Sequence, residues 1–352
     1  MILYRLLLLA LFSISTKVAA DHLSGGIGLP TSAAPFWTAT AQTMPAGQMS
    51  FGLSVEYQKL RPFSDQKLQA LRQADALANP QLYQEEHNDE HAHADPRQAD
   101  LHSVDYLLGG NFRFAYGVTD DLSVGLNLPF VHRNNVREAE GGVFDHGEFD
   151  SEGVADHGNS EGIGDMSFWG QYRFYDDSIS NASLILGFKA PTGETTNTGY
   201  EDERLETHLQ PGSGSWDGMF GLAYGYDLGT VMLNTSVLYT LATEGSQATT
   251  LGDGFNYNFA VSMPVHAIKP CSACYWNLVM ELNGDWRDSE ERRGITIGNS
   301  GGHTVYLSPG IRFIGGENWN IGVAGGYAVI HDLNGDQSEP DYRFMGTMNM
   351  GL

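Results

Sequence analysis

The 352-residue chain contains only two cysteines, Cys271 and Cys274, and only 19 lysines and arginines against 43 aspartates and glutamates. Two cysteines close in sequence exclude a disulfide-dense scaffold; in an oxidising compartment they are expected to form one local bridge. A formal charge of −24 excludes the basic face that a nucleic-acid-binding surface requires. Long apolar runs are missing too. Beyond the first twenty residues nothing approaches the ~18 apolar residues of a membrane helix, so any membrane crossing must be made by strands.

What is present begins with Met1 to Ala20: Arg5, an apolar run from Leu6 to Ile14, and the small residues Val18, Ala19 and Ala20 before Asp21. This pattern is that of a secretory signal peptide, with Lys17 an atypical residue near its cleavage site. Its removal takes away Arg5 and Lys17 and leaves a charge of −26. Residues 21–47 are rich in Gly, Ala, Thr and Pro, with Phe36 and Trp37 as the large aromatic pair. They read as an irregular segment, either periplasmic or entering a lumen.

From residue 48 to 352 the pattern has period two. In Ile163 to Ala190, the residues Met166, Phe168, Gly170, Tyr172 and Phe174 alternate with Asp165, Ser167, Trp169, Gln171 and Arg173. After the turn Asp176-Asp177-Ser178, a second alternating run follows through Leu184, Leu186 and Phe188. Alternation places these two sets on opposite faces of a strand. Such a hairpin is not stable alone, and the rhythm returns twelve times, from Met49–Tyr57 to Tyr342–Leu352. Connections after even-numbered strands are brief. Those after odd-numbered strands are mostly long and polar, notably near 59–101, 133–162 and 191–215. Short turns on one side, long loops on the other and an even strand number predict an all-β fold: a transmembrane antiparallel up-and-down β-barrel in a bacterial outer membrane. Tyr57, Tyr226, Trp276, Trp286, Trp319 and Tyr342 stand near strand ends, where amphipathic rings suit lipid headgroups.

Parity assigns the lumen. Glu56, Asp105, Arg113, Asp165, Arg173, Lys189, Asp217, Glu281, Asp285, Arg312 and Arg343 are expected to point inward. A wall of both signs admits water and small polar solutes; alternatively, its own ion pairs or the N-terminal segment fill it.

Several motifs carry a resemblance. Gly162-Ile-Gly-Asp165, Gln171-Tyr-Arg-Phe174, Lys189-Ala-Pro-Thr-Gly193, Pro211-Gly-Ser-Gly-Ser-Trp-Asp217, Tyr116-Gly-Val-Thr-Asp-Asp-Leu122, Leu128-Pro-Phe130 and Thr43-Met-Pro-Ala-Gly47 resemble the MetA-pathway of phenol degradation family of outer-membrane barrels. The resemblance covers most of the mature chain and implies an outer-membrane pore or transporter; it does not imply that phenol is the solute. Read physically, the motifs are rim chemistry, with Pro191 where no ladder donor is needed and Gly212 and Gly214 in a turn.

Other stretches offer chemistry. His87, His91 and His93, among Glu86, Asp89 and Glu90, are imidazole and carboxylate donors of the kind that zinc, copper or nickel prefers. His146 and His157 lie in the next long loop. A polar run in a long loop is also an ordinary solvated surface. Ser64 is placed to cap a short helix carrying Leu68, Leu71 and Leu77 and ending at Asn79-Pro80, expected over the barrel mouth. His157 and Ser160 have the residue types of a hydrolase but no supporting pattern, and the chain is expected not to be an enzyme. The expected function is therefore a pore or transporter for small solutes; the alternatives are a metal-binding protein using loop 85–93 or a channel for small hydrophobic or aromatic compounds. Expected partners are outer-membrane lipid, lipopolysaccharide and a small-molecule solute. No cofactor is expected beyond divalent cations bridging acidic outer loops to lipopolysaccharide phosphates.

Overall fold

A computed structural model describes residues 35–83, 100–140, 142–145, 148–151, 153–265, 274–316 and 318–352. The leader expected at 1–20, the histidines His87, His91, His93 and His146, and Cys271 lie outside the described residues. Cys274 is disulfide-bonded.

Twelve wall strands follow one another in chain order. They are β1 (Met49–Arg61), β2 (Tyr106–Thr119), β3 (Leu122–Ala139), β4 (Val154–Ile163, continued by Ser167–Asp176), β5 (Ser180–Lys189) and β6 (Asp217–Asp227). The second half comprises β7 (Met232–Leu241), β8 (Gly254–Val265), β9 (Cys274–Arg287), β10 (Gly302–Gly315), β11 (Trp319–Leu333) and β12 (Glu339–Gly351). Each pairs antiparallel with its neighbours, and β1 pairs β12 from Ser50 opposite Gly351 to Arg61 opposite Glu339. The sheet therefore closes and has no unpaired edge, the condition for strands in lipid. No helix among the described residues is long and apolar enough to cross a membrane.

Burial runs opposite to that of a soluble protein. Leu53, Val55, Phe174, Leu222, Val323 and Phe344 are at least half exposed on the outer wall, while Glu56, Gln171, Glu281, Arg312 and Arg343 are buried inside. Only a hydrocarbon surround makes that arrangement favourable. Aromatic clusters mark the two rims: Tyr57 with Tyr106 and Tyr342 at the outer end, and Phe313 between Trp276 and Trp319 at the end of the short turns.

The outer connections are more structured than their polarity suggests. In place of a loop at 133–162, β3 and the first part of β4 extend the wall as a paired hairpin up to Ala139 opposite Val154. A second small hairpin (Gly142–Asp145 with Glu148–Ser151) forms its tip. The polar residues here alternate on a ribbon projecting into water, so a strand is compatible with them. Helix α1 (Asp65–Ala78) starts at Ser64, whose hydroxyl accepts the Lys67 amide at 3.3 Å. Leu68 packs on Leu101 and Ala139, with Phe63, Leu71 and Val154 around them. The helix thus leans on the β3–β4 extension, not across the mouth, and Leu77 is left exposed.

Candidate functional site: the occupied lumen and its outer cap

Residues 35–46 occupy the lumen. An irregular strand of chain inside a barrel has unpaired amides, and wall side chains supply partners at successive depths. Ala46 N–H donates to Asp120 Oδ1 (2.9 Å) and Met44 N–H to Ser123 Oγ (2.7 Å) near the rim of short turns. Higher up, Gln171 Nε2 donates to the carbonyls of Thr40 (2.8 Å) and Gln42 (3.0 Å), and Ser183 donates to Ala41. At mid-height the Glu281 carboxylate accepts the amides of Phe36, Trp37 and Thr38 and the Thr38 hydroxyl.

The aromatic pair meets two buried cations. The Arg343 guanidinium lies 3.9 Å from the ring centres of both Trp37 and Tyr306, and that of Arg312 lies 4.5 Å from Phe36. Arg343 also stands 3.7 Å from Glu56 and donates to Asn283 Oδ1 at 2.9 Å. Beside the segment a cavity of about 30 Å³ remains, lined by Trp37, Asn256, Asn258, Asp285 and Tyr306 among others, room for on the order of two waters.

The residues assigned to the lumen by parity fall into three levels. Glu56, Glu281, Asp285, Arg312 and Arg343 surround the N-terminal segment, and Arg113 is half-buried in β2. Asp165, Lys189 and Asp217 meet at the outer end. There the Asp165 carboxylate accepts the amides of Gly193 and Ser213, both at 2.8 Å, and Lys189 Nζ lies 2.6 Å from Asp217 and 3.5 Å from Asp165. This knot joins three of the recurring motifs: a Cβ on Gly193 would come within 2.7 Å of the backbones of Gly164 and Gly212. Their glycines are needed for that close approach. Arg173 sits at the opposite rim, held by Asp121 (2.8 Å) and Asp176 (3.3 Å). Asp105 lies just outside β2 at the outer edge, 3.8 Å from Arg137 and partly exposed, not in the lumen.

Above the segment, the connection between β5 and β6 folds over the mouth. Leu205 and Leu209 pack with Leu60, Val104, Leu107 and Val136. Val104, which parity would put on the lipid face, is fully buried here because the chain bends inward before β2. Gln210 holds the cap's shape through Asn197 and Leu205, and Arg133 donates to the Gln210 carbonyl at 3.1 Å.

Over this apolar layer lies a polar cluster from three outer connections: Asp100 and His102, Glu206 and His208, and Glu290 and Arg292. His102 Nδ1 is 3.1 Å from Asp100 Oδ1, and the rings of His102 and His208 are 4.6 Å apart. Arg292 reaches Asp100 at 3.0 Å, Glu290 at 3.4 Å and Glu206. Burial by itself lowers the His208 pKa, but the Glu290 and Asp100 carboxylates outweigh it and push it up to about 9. Burial, reinforced by Asp100, pushes Glu206 up to about 8.

Sequence reasoning missed this cluster because its members are separated by up to 192 residues. It also missed Gln171, Ser123, Ser183 and Ser236, whose hydroxyl accepts the Ala39 amide at 3.1 Å, as tethers of the N-terminal segment, which their inward parity could have suggested. The hydrolase types are not brought together. Ser160 is fully buried and donates to the Leu209 carbonyl at 2.6 Å, whereas His157 meets Glu138 at 3.3 Å and the Tyr200 amide at 3.1 Å.

No protein-family model matches the sequence, and no curated protein matches it. Solved structures do. The chain is similar to an outer-membrane channel from Pseudomonas putida F1, with a TM-score of 0.54 and 12% identity over 89% of this chain and 98% of that one. Fainter similarities, with TM-scores of 0.41 and 0.40, link it to a FadL homologue from Pseudomonas aeruginosa (11% identity, 96% and 98% covered) and to the toluene transporter TbuX of Ralstonia pickettii (10% identity, 88% and 90% covered). Only the first carries weight, and what it shows is the fold: a closed antiparallel β-barrel of the outer-membrane type.

Proposed function

We propose that this chain is an outer-membrane channel for small solutes, closed in this conformation at two levels. The observation that carries the reading is the N-terminal segment: a stretch of chain that is no part of the wall, threaded through the barrel and held by inward-facing side chains of many strands. Its contacts are of two kinds: Glu281, Gln171, Ser123 and Ser183 bind its backbone, while Ala41 and Met44 pack with Trp169, Ile185 and Met219, and Phe36 and Trp37 with Val279, Ala324 and Met345. The P. putida protein of similar fold is an outer-membrane channel, and the resemblance to the phenol-degradation family supports the same class.

A second reading, a channel for small aromatic compounds, is favoured by Trp37, Ile185 and Leu238, which line the same cavity as the asparagines. Planar-bilayer recording tests both. The full-length protein is expected to give small, infrequent conductance, and Glu281→Ala, which removes the acceptor of three amides, is expected to raise it at least threefold. Silence from both proteins contradicts the channel. Saturable block by phenol but not by glucose selects the aromatic solute; the reverse selects the polar one.

A further inference from the structure

We infer that Asp100, His102 and His208 form a binding site for one divalent transition-metal cation of the zinc class, which staples the outer cap to the barrel wall. The three side chains present ligand atoms all within 4.8 Å of one another. In a tetrahedral site with bonds of about 2.0–2.1 Å, ligand atoms stand roughly 3.3 Å apart. The 3.1 Å between Asp100 Oδ1 and His102 Nδ1 is already at that spacing, and closing the remainder asks for shifts of about 1 Å at a loop. Two imidazoles and one carboxylate are a donor set that zinc prefers over magnesium or calcium, which take oxygen.

The surroundings have the form of an outer ligand shell. Asp100 presents Oδ2 to Arg292 at 3.0 Å, leaving Oδ1 on the histidine side. Glu290 Oε2 stands 3.4 Å from His208 Nδ1, the carboxylate partner that orients a ligating imidazole. All three side chains are buried, so an ion here would be shielded from water. Charge points the same way. Asp100, Glu206 and Glu290 bring three carboxylates to a buried place, each of them in contact with the Arg292 guanidinium.

The placement gives the ion a role. His208 lies one residue from Leu209 in the apolar layer that closes the mouth, while Asp100 and His102 lead into β2. A bound ion would tie the cap to the wall. The site is outside the lumen, so its failure would leave the channel reading intact.

Isothermal titration of Zn²⁺ into the full-length, chelator-stripped protein in detergent tests this. One saturable site is expected, weakened at least tenfold in Asp100→Asn and in His102→Ala/His208→Ala, and unchanged in His87→Ala/His91→Ala/His93→Ala. Mg²⁺ at the same concentration is expected not to compete. Circular dichroism establishes that each variant keeps its strand content, and Asp100→Asn keeps the side-chain shape where a histidine deletion disturbs the loops. Absence of a saturable site in the wild-type protein, unchanged affinity in the Asp100 and His102/His208 variants, or loss of binding in the His87/His91/His93 variant overturns the assignment.

Discussion

At the scale of single residues, a few carboxylates organise what lies inside the barrel. Glu281 accepts three consecutive backbone amides, and hydrogen bonds to a charged group contribute about 1.5–3 kcal/mol each. Its replacement by alanine therefore releases residues 35–46 more readily than any surface change would; protease cleavage within that segment is expected to become at least tenfold faster. Asp165 does the same work for the cap's root. Asp165→Ala leaves the amides of Gly193 and Ser213 without their acceptor, while Lys189 keeps Asp217, at a cost of about 2–4 kcal/mol. Faster hydrogen exchange confined to 191–215 is the expected readout. Gly193→Ala should be at least as damaging, since the atoms it would strike belong to the backbones of Gly164 and Gly212 and cannot swing aside.

Among the elements, the β3–β4 extension is held by more than its ladder. His157 lies against Glu138, and that hydrogen bond raises its pKa more than burial lowers it. A histidine with a raised folded pKa contributes stability that is fully present below the ordinary value of about 6.5 and disappears as pH rises through the raised one. The extension should therefore open more often above neutral pH. Because its partner Glu138 is partly open to solvent, the effect is under about 1 kcal/mol. Hydrogen exchange at 154–163, corrected for the intrinsic rate, is expected to show this loosening in the wild type and not in His157→Ala. Helix α1 offers a separate test. Ser64→Ala removes the acceptor of the Lys67 amide and should cost about 1 kcal/mol, read as earlier local melting over Asp65–Ala78.

For the molecule as a whole, the exposed apolar belt decides where it resides. Val55 and Leu222 sit near the middle of β1 and β6 and are at least half exposed. Arginine at either position faces lipid at mid-depth and should reduce stability by about 2–4 kcal/mol, measured by urea unfolding from lipid vesicles. Inside, the two closures are independent. One rests on Glu281 and its neighbours at mid-height, the other on Leu205, Leu209 and the cluster above them. Loosening either alone is expected to leave the other in place.

The wall was legible in the sequence because its information is local. A period of two needs only neighbouring residues, so the alternation of Met166, Phe168 and Tyr172 with Asp165, Gln171 and Arg173 announced a strand with a lipid face and a lumen face. The sorting of connections by length announced which way the strands run. Ser64 announced its helix within three residues. What fills and covers the cylinder was decided by tertiary structure alone. Phe36 meets Glu281 across 245 positions, and Asp100 meets Arg292 across 192; parity says that a side chain points inward but not what it finds there. For the same reason Asp105 and Val104 departed from their parity, since at the strand ends the chain bends to satisfy the cap and the alternating wall no longer dictates direction.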